Sequence, residues 1–256
     1  MKKVLTLAIA SAAILILVGC ESNVAPETPL VTSTVADSGA TLALSWSAVA
    51  GADGYIIYAD DTLVDTISTT TYAATIPAKK YAVSAYAGID ESATQEIDCS
   101  PVVTESLIVY SSADSDSTQP NGFGFNTSGT AVAYLLTDTA SYPLFDYWIQ
   151  TDNDTMQFVS PNQYPDTLND EVNVTKNSGG TSFDAEDICD APGGYTTPTA
   201  INANAVYFFW IDPTNNNWDA TTDHFGKIKI KAIDGMKVTL ELAYQPVAGL
   251  RWVVTP

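Results

Sequence analysis

Short runs in which apolar and polar residues alternate, separated by turn residues, recur along most of this 256-residue chain. In "ATLALSW", Leu42, Leu44 and Trp46 alternate with small or polar residues, and in "GKIKIKAI" lysines alternate with isoleucines. Successive side chains of a strand point to opposite faces, so each run predicts a strand with one buried face. The sequence therefore predicts an all-β protein.

The clearest hairpin signal lies near the C-terminus. Asp234-Gly235 separates the lysine-isoleucine run from "KVTLELAY", which predicts an antiparallel hairpin with one solvated face. The continuous apolar run "AVYFFWI" precedes it, and residues 160–200 are rich in Asn, Asp, Pro and Gly, which favours surface loops. Residues 105–256 are therefore predicted to form an antiparallel β-sandwich or a partly open barrel.

The N-terminus has the pattern of a secretory signal. Lys2 and Lys3 precede an uncharged apolar run over residues 4–18, which is too short for a comfortable membrane span. The end of this run, Leu17-Val18-Gly19-Cys20, resembles the lipobox of bacterial lipoproteins, and the alternative is a buried helix that ends in Gly-Cys. The resemblance implies that residues 1–19 are removed and that Cys20 is acylated, which anchors the chain in a membrane. Glu21 after the cysteine favours the outer membrane, and residues 20–29 form a tether.

Composition restricts the partners of the chain. Its net charge is −20, and loss of Lys2 and Lys3 leaves 8 basic and 30 acidic residues, a net charge of −22. Such a surface repels nucleic acid, so we expect no nucleic-acid partner. Cys99 and Cys189 remain as an even pair in an oxidising compartment, either bridged or as two separate thiols.

Residues 30–104 resemble a fibronectin type III domain. The matching features are Leu44 and Trp46, residues 54–58, Thr70 and Tyr72, residues 81–86, and the loop 88–92. The resemblance implies a β-sandwich that acts as a spacer or an interaction module, not as a catalyst. It also implies that Trp46, Tyr55 and Tyr81 are core residues and that Tyr81 is the corner tyrosine.

One loop of the second domain has the spacing of a calcium-binding loop. In "DPTNNNWDATTD", candidate ligands occupy positions 1, 3, 5, 7 and 12, namely Asp212, Thr214, Asn216, Trp218 and Asp223. Hard cations such as Ca²⁺ need several oxygen atoms converging from a short loop, so Ca²⁺ is the one candidate cofactor. An Asn/Asp-rich hairpin loop with its polar groups in water is the alternative.

Aromatic residues supply a second kind of candidate site. Tyr147, Trp148, Trp210 and Trp218 could present a platform to sugar rings or another flat apolar ligand, although most of them suit a core. Trp218 lies in a polar loop, so it is the predicted ligand contact. The loop "SSADSDSTQPNG" is polar and acidic, and suggests no particular site.

The final third of the chain resembles the C-terminal sheet of HmuY-like lipoproteins, which capture haem through histidines. His224 is the one histidine in this chain, so paired histidine ligation is impossible. No G-x-S-x-G elbow, P-loop or zinc spacing occurs, and we expect no enzyme activity.

These observations favour a lipid-anchored cell-envelope protein with a non-enzymatic binding or adhesion role. The predicted partners are the membrane, through the lipid anchor, and a carbohydrate or another surface protein. Capture of a solute for an uptake system and a structural role in the envelope are the alternatives.

Overall fold

The computed structural model describes residues 24–164, 170–214 and 217–255. These residues are almost entirely β, and the strands form four antiparallel sheets arranged as two sandwiches. Within the described ranges no helix is long and apolar enough to cross a membrane. Cys20, with the predicted signal peptide and the start of the predicted tether, lies outside the described residues.

The first sandwich contains a three-stranded and a five-stranded sheet. The smaller sheet has the order β1-β2-β5, and the larger has the order β4-β3-β6-β7, with β8 also paired to β6. The strands are β1 (Val31–Ala36), β2 (Thr41–Trp46), β3 (Gly54–Ala59), β4 (Thr62–Ile67), β5 (Thr71–Ala74), β6 (Lys80–Ala87), β7 (Asp90–Glu91) and β8 (Gln95–Asp98). A 3-10 helix, Asp37–Gly39, joins β1 to β2.

The core of this sandwich confirms the sequence pattern of the fibronectin type III resemblance. Trp46 and Tyr55 are buried with ring centroids 5.1 Å apart, and Tyr81 is buried beside them. The Tyr81 hydroxyl donates to Ile76 O at 2.8 Å, as a corner tyrosine does. The alternating residues of β2 place Leu42, Leu44 and Trp46 in this core.

The second sandwich consists of two five-stranded sheets, and it is not a barrel. One sheet has the order β14-β16-β17-β18-β9 and the other has the order β11-β10-β12-β13-β15. The strands are β9 (Val102–Tyr110), β10 (Gly122–Phe125), β11 (Ala131–Tyr134), β12 (Tyr147–Asp152), β13 (Thr155–Val159), β14 (Val174–Asn177), β15 (Thr199–Ala200), β16 (Val206–Ile211), β17 (His224–Asp234) and β18 (Lys237–Tyr244). The predicted hairpin is confirmed as β17–β18.

Aromatic and branched aliphatic side chains fill the space between the two sheets, including Phe123, Tyr147 and Phe209. Three further 3-10 helices lie in the connections: Thr139–Leu144, Pro161–Gln163 and Phe183–Ala185. The last of these belongs to a segment that covers the outer face of the β17 sheet, where Cys189, Phe208 and Phe225 are buried together.

The segment after β18 joins the two sandwiches. Leu250 and Trp252 are buried in the core of the first sandwich, whereas Val253 packs against Cys189 and Phe208 of the second. The Trp252 ring lies 5.8 Å from that of Tyr81, and its indole N–H donates to Ala40 O at 3.1 Å. The core of the first sandwich thus includes residues from outside the range 30–104.

The directions of β1 and β9 place the start of the first sandwich far from the loop that follows β9. β1 runs from Val31 toward the 3-10 helix, whose Gly39 O accepts from the backbone N–H of Arg251 at 3.0 Å, beside the second sandwich. β9 runs from Val102, opposite Tyr244, to Tyr110, over about 30 Å. The loop after β9 therefore lies at the end of the second sandwich remote from the tether.

Candidate functional site

A groove of about 430 Å³ lies at this remote end of the second sandwich. We call it the distal groove. Its lining comes from the acidic loop after β9, from the turn after β11, from β12 and from the segment after β13. The lining residues are Ser112, Asp114, Asp116, Ser117, Asn121, Leu136, Thr137, Trp148 and Tyr164.

The acidic wall of the groove is held in shape by its own side chains. Asp114 Oδ1 accepts the backbone N–H of Asp116 at 2.8 Å. The Asp116 carboxylate accepts three hydrogen bonds. The donors are the Thr118 backbone N–H at 3.0 Å, the Thr118 hydroxyl at 2.6 Å and Gln119 Nε2 at 3.1 Å. These hydrogen bonds lower the pKa of Asp116 below its ordinary value, and the bond from the Thr118 hydroxyl has the largest effect. The wall therefore carries negative charge at neutral pH.

The apolar floor of the groove comes from the outward face of β12. Tyr147 and Ile149 point into the sandwich core, so Trp148 between them points outward. Trp148 is 5 % exposed, its indole N–H donates to Ser160 O at 3.2 Å, and Tyr164 meets it nearly at right angles at 5.2 Å. Leu136 completes a hydrophobic cluster with these rings.

Asn121 is the most constrained polar residue of the groove. Its backbone N–H donates to Tyr134 O at 2.9 Å, and its carbonyl accepts from Ile149 N at 2.8 Å, which fixes it between β11 and β12. The side chain is 7 % exposed and its Nδ2 donates to Ser111 O at 3.4 Å. Within residues 24–164, 170–214 and 217–255, no hydrogen bond reaches its Oδ1, although the residue lines the groove.

A second groove, of similar volume, lies on the first sandwich and differs in chemistry. It is lined by Asp60, Asp61, Lys79, Lys80, Glu96, Asp98 and Ser100. Lys80 Nζ lies 2.8 Å from Asp61 Oδ1 and 3.1 Å from Glu96 Oε1. Four carboxylates and two lysines line this groove, Lys80 is paired with two of the carboxylates, and none of the seven lining residues is aromatic. The groove therefore offers less to an organic ligand.

Two of the predicted calcium ligands, Asp212 and Asp223, accept hydrogen bonds from the protein itself. Asp212 Oδ1 accepts the backbone N–H and the hydroxyl of Thr214, each at 3.2 Å. Asp223 Oδ2 accepts the Trp210 indole N–H and the Asp219 backbone N–H, each at 2.9 Å. The described part of the chain contains no group of three acidic, histidine or cysteine residues suited to a metal. Asn216 lies outside it, so calcium binding stays a prediction.

Trp218 contacts the C-terminal segment on one side of its ring. It is half-buried, its indole N–H donates to Gly249 O at 3.2 Å, and it packs against the cluster of Phe208, Phe225 and Val253. A ligand contact at Trp218 stays a prediction. Of the other aromatic residues, Trp148 and Tyr164 line the distal groove, where Trp148 is buried and Tyr164 is half-buried.

The possible bridge between Cys99 and Cys189 does not form. Both are free and buried, Cys99 in the first core and Cys189 beneath the segment that covers the β17 sheet. The Cys189 thiol donates to Gly226 O at 3.2 Å. Burial raises the pKa of Cys99 to about 12 and raises that of Cys189 as well, so both behave as small apolar residues.

The single histidine has a structural environment. His224 Nδ1 lies 3.0 Å from Gln245 O, and its ring stacks on Tyr244 with centroids 5.0 Å apart. Burial lowers its pKa, which favours the neutral ring. The expectation that the chain is not an enzyme stays a prediction.

Sequence reasoning missed Asp114, Asp116, Asn121 and Tyr164 as groove residues. The repeated Asp-Ser spacing of "DSDST" is a signal for successive side-chain-to-backbone turns, but not for what they face. Asn121 becomes significant because β11 and β12 enclose it, which only the three-dimensional pairing shows.

No protein-family model and no curated protein matches this chain. Its structural neighbours include the FN3tt mutant, 25 % identical, with a TM-score of 0.26 over 28 % of this chain and 92 % of that one. A Fn3-like protein from Clostridium thermocellum is 27 % identical, with a TM-score of 0.23 over 28 % of this chain and 86 % of that one. A DUF4466 family protein from Parabacteroides merdae is 11 % identical, with a TM-score of 0.42 over 88 % of this chain and 96 % of that one.

Proposed function

We propose that this chain is a lipid-anchored binding protein of the bacterial cell envelope, and that the distal groove is its ligand site. The first sandwich acts as a spacer, and the role is non-enzymatic. The single observation that supports this function best is the groove itself, with an apolar aromatic floor, an ordered acidic wall and a volume of about 430 Å³. Ligand pockets in proteins combine these features in the range of about 300 to 1,000 Å³.

The position of the groove suits a surface receptor. The tether enters the first sandwich at Val31, whereas the groove lies beyond Tyr110 at the other end of the second sandwich. An anchor at Cys20 would therefore leave the groove facing away from the membrane. This arrangement supports binding of a partner from outside the anchoring membrane more than exchange with a transporter within it.

The lipid anchor is tested by mass spectrometry and fractionation in the native host. The proposal expects a protein that begins at Cys20 with acyl chains on it and stays in the membrane fraction, while Cys20→Ser remains soluble or unprocessed. An intact Met1, or an unmodified Cys20 in a membrane-bound protein, would contradict it.

The groove is tested by blocking it. Thr137 is exposed and lines the groove, so Thr137→Trp fills it without disturbing the core. Thr139 is equally exposed and does not line it, so Thr139→Trp is the matched control. The chain from Glu21 onward, applied to a glycan array, should lose its bound glycans in the first variant and retain them in the second. Equal binding by both variants would remove the groove as the site.

The same reagents distinguish adhesion from solute capture. Adhesion predicts that beads coated with the protein bind intact cells or polysaccharide and that Thr137→Trp abolishes this binding. Capture predicts binding of one free small molecule without attachment to cells. The whole chain from Glu21 is needed, because the C-terminal segment contributes Leu250 and Trp252 to the first core.

A further inference from the structure

We propose that the distal groove takes a hydroxylated ring that is neutral or bears an amine, such as a terminal hexose or hexosamine, and rejects carboxylated or phosphorylated ligands. This inference rests on the proposed function of the groove. It concerns the chemical class of the ligand, which follows from the hydrogen-bonding groups and charges on the groove wall.

The polar groups with unused capacity in the groove are acceptors. Asn121 Oδ1 has no donor among the described residues, although the side chain is more than nine-tenths buried. Asp114 uses Oδ1 for the Asp116 backbone N–H, and no donor from the described residues reaches its Oδ2. Both residues line the groove, and neither oxygen is among the fully buried unpaired atoms of the described residues, so both can accept from a bound molecule. The complementary ligand is therefore one that brings O–H or N–H groups.

The charges of the groove also favour a ligand that donates hydrogen bonds and carries no negative charge. Its lining includes two carboxylates, Asp114 and Asp116, and none of the nine lining residues is Lys, Arg or His. A carboxylate or phosphate on the ligand would lose water and meet like charge, which disfavours binding. An ammonium group near Asp114 would instead form a charge-assisted hydrogen bond.

The floor of the groove favours a ring over a flexible chain. The apolar part of the lining consists of Leu136 and Trp148, which are buried, and of Tyr164, which is half-buried. A pyranose has C–H groups on its faces and hydroxyl groups around its edge, so one face can lie on the apolar floor while the edge donates to Asn121 and Asp114.

The test is calorimetric titration of the chain from Glu21 onward with glucose, glucosamine and glucuronic acid at millimolar concentrations. Glucosamine should bind more tightly than glucose, and glucuronic acid should show no binding. Asp114→Asn should weaken glucosamine about tenfold and glucose much less, because it removes the charge and keeps an oxygen for the Asp116 N–H.

Asp98→Asn is the matched control, because Asp98 Oδ1 accepts the Ser100 backbone N–H at 2.8 Å, as Asp114 does for Asp116. This variant should bind all three sugars as the wild type does. Binding of glucuronic acid that Thr137→Trp abolishes would overturn the ligand class and leave the groove as the site. Absence of binding by all three sugars would also overturn the class, and equal behaviour of Thr137→Trp and Thr139→Trp on the array would overturn the site itself.

Discussion

Lys227 binds the segment that contains Phe183 and Glu186 to the outer face of the β17 sheet. Its side chain is fully buried, and Nζ donates to Phe183 O at 2.6 Å, to Glu186 O at 2.9 Å and to the Thr255 hydroxyl at 2.9 Å. Burial lowers its pKa, while nearby carboxylates such as Asp187 oppose this. The alternating pattern predicts that Lys227, Lys229 and Lys231 lie on a solvated face. Lys227 is instead buried, because the segment that contains Phe183 and Glu186 covers it.

Replacement of Lys227 should therefore be costly. Lys227→Met leaves three acceptors without their donor, two carbonyl groups in the segment that contains Phe183 and the hydroxyl of Thr255. We expect a loss of about 3 kcal/mol in the free energy of unfolding. Lys231→Met is the control, since Lys231 is exposed and lies 3.7 Å from Glu241, and it should change stability by less than about 0.5 kcal/mol. Urea denaturation measures both, and equal effects would contradict this role of Lys227.

Asp146 is a carboxyl group that titrates close to neutral pH. Its Oδ2 accepts the Phe125 backbone N–H at 2.7 Å, and its Oδ1 lies 3.5 Å from Asn173 Nδ2, which also donates to Glu171 Oε2 at 3.1 Å. Burial, and to a smaller extent the neighbouring Glu171 carboxylate, raise the pKa of Asp146 to about 8, against the lowering effect of the Phe125 hydrogen bond. Burial also raises the pKa of Glu171.

The sign of the resulting pH dependence follows from proton uptake. Between the ordinary pKa of 3.8 and about 8, the unfolded chain has lost the Asp146 proton and the folded chain retains it. The contribution of Asp146 is thus complete below pH 3.8 and is lost as pH rises toward 8, with a slope of at most about 1.4 kcal/mol per pH unit. Asp146→Asn should flatten the profile of unfolding free energy against pH, whereas Asp98→Asn should not. Parallel profiles for wild type and Asp146→Asn would contradict the prediction.

Individual strands were predictable where a local pattern suffices. The β17–β18 hairpin follows from alternation and Asp234-Gly235, and β2 follows from the alternation of Leu42, Leu44 and Trp46. The C-terminal segment was not predictable, because "PVAGLRWVVTP" has no strand or helix period. Its position depends on a space in the first core that Trp252 fills.

The distal groove likewise could not be predicted from local sequence patterns. Its floor depends on Trp148 pointing outward from β12, which follows from alternation, but also on Leu136 and Tyr164 arriving from two other connections. The acidic loop has the sequence of an ordinary polar turn. The hydrogen bonds that fix Asn121 come from β11 and β12, which its local sequence does not reveal.

The C-terminal segment should behave as part of the first sandwich. Trp252→Ala removes a fully buried indole from that core and the hydrogen bond to Ala40 O, so we expect a loss of about 3 to 5 kcal/mol in unfolding free energy. Ile89→Ala, at a residue that is almost fully exposed, should have little effect. Chemical denaturation followed by the fluorescence of the remaining tryptophans measures the difference, and a small effect of Trp252→Ala would contradict it.

On the scale of the whole molecule, the two sandwiches are joined by buried polar contacts and not by a linker alone. Gln245 Nε2 donates to Cys99 O at 2.9 Å and to Trp252 O at 2.6 Å. Arg251 donates through Nε to Ser38 O at 2.7 Å and through a second nitrogen to Cys189 O. These contacts tie the C-terminal segment to both sandwiches.

This connection predicts cooperative unfolding. The chain from Glu21 onward should give one calorimetric transition with equal calorimetric and van't Hoff enthalpies, since loss of the C-terminal segment opens both sandwiches. Arg251→Ala should separate the melting of the two sandwiches, because it removes contacts to Ser38 and Cys189 together. Two resolved transitions in the wild type would contradict a shared folding unit.

The proposed ligand site, the distal groove, can be mapped by backbone and indole NMR shifts of the ¹⁵N-labelled chain from Glu21 onward during titration with glucosamine. We expect shifts concentrated in residues 111–121, in the Trp148 indole and around Leu136 and Tyr164, with Trp46 and Trp252 unchanged. Shifts centred on the first sandwich or on Trp218, or no shifts at saturating millimolar sugar, would contradict it.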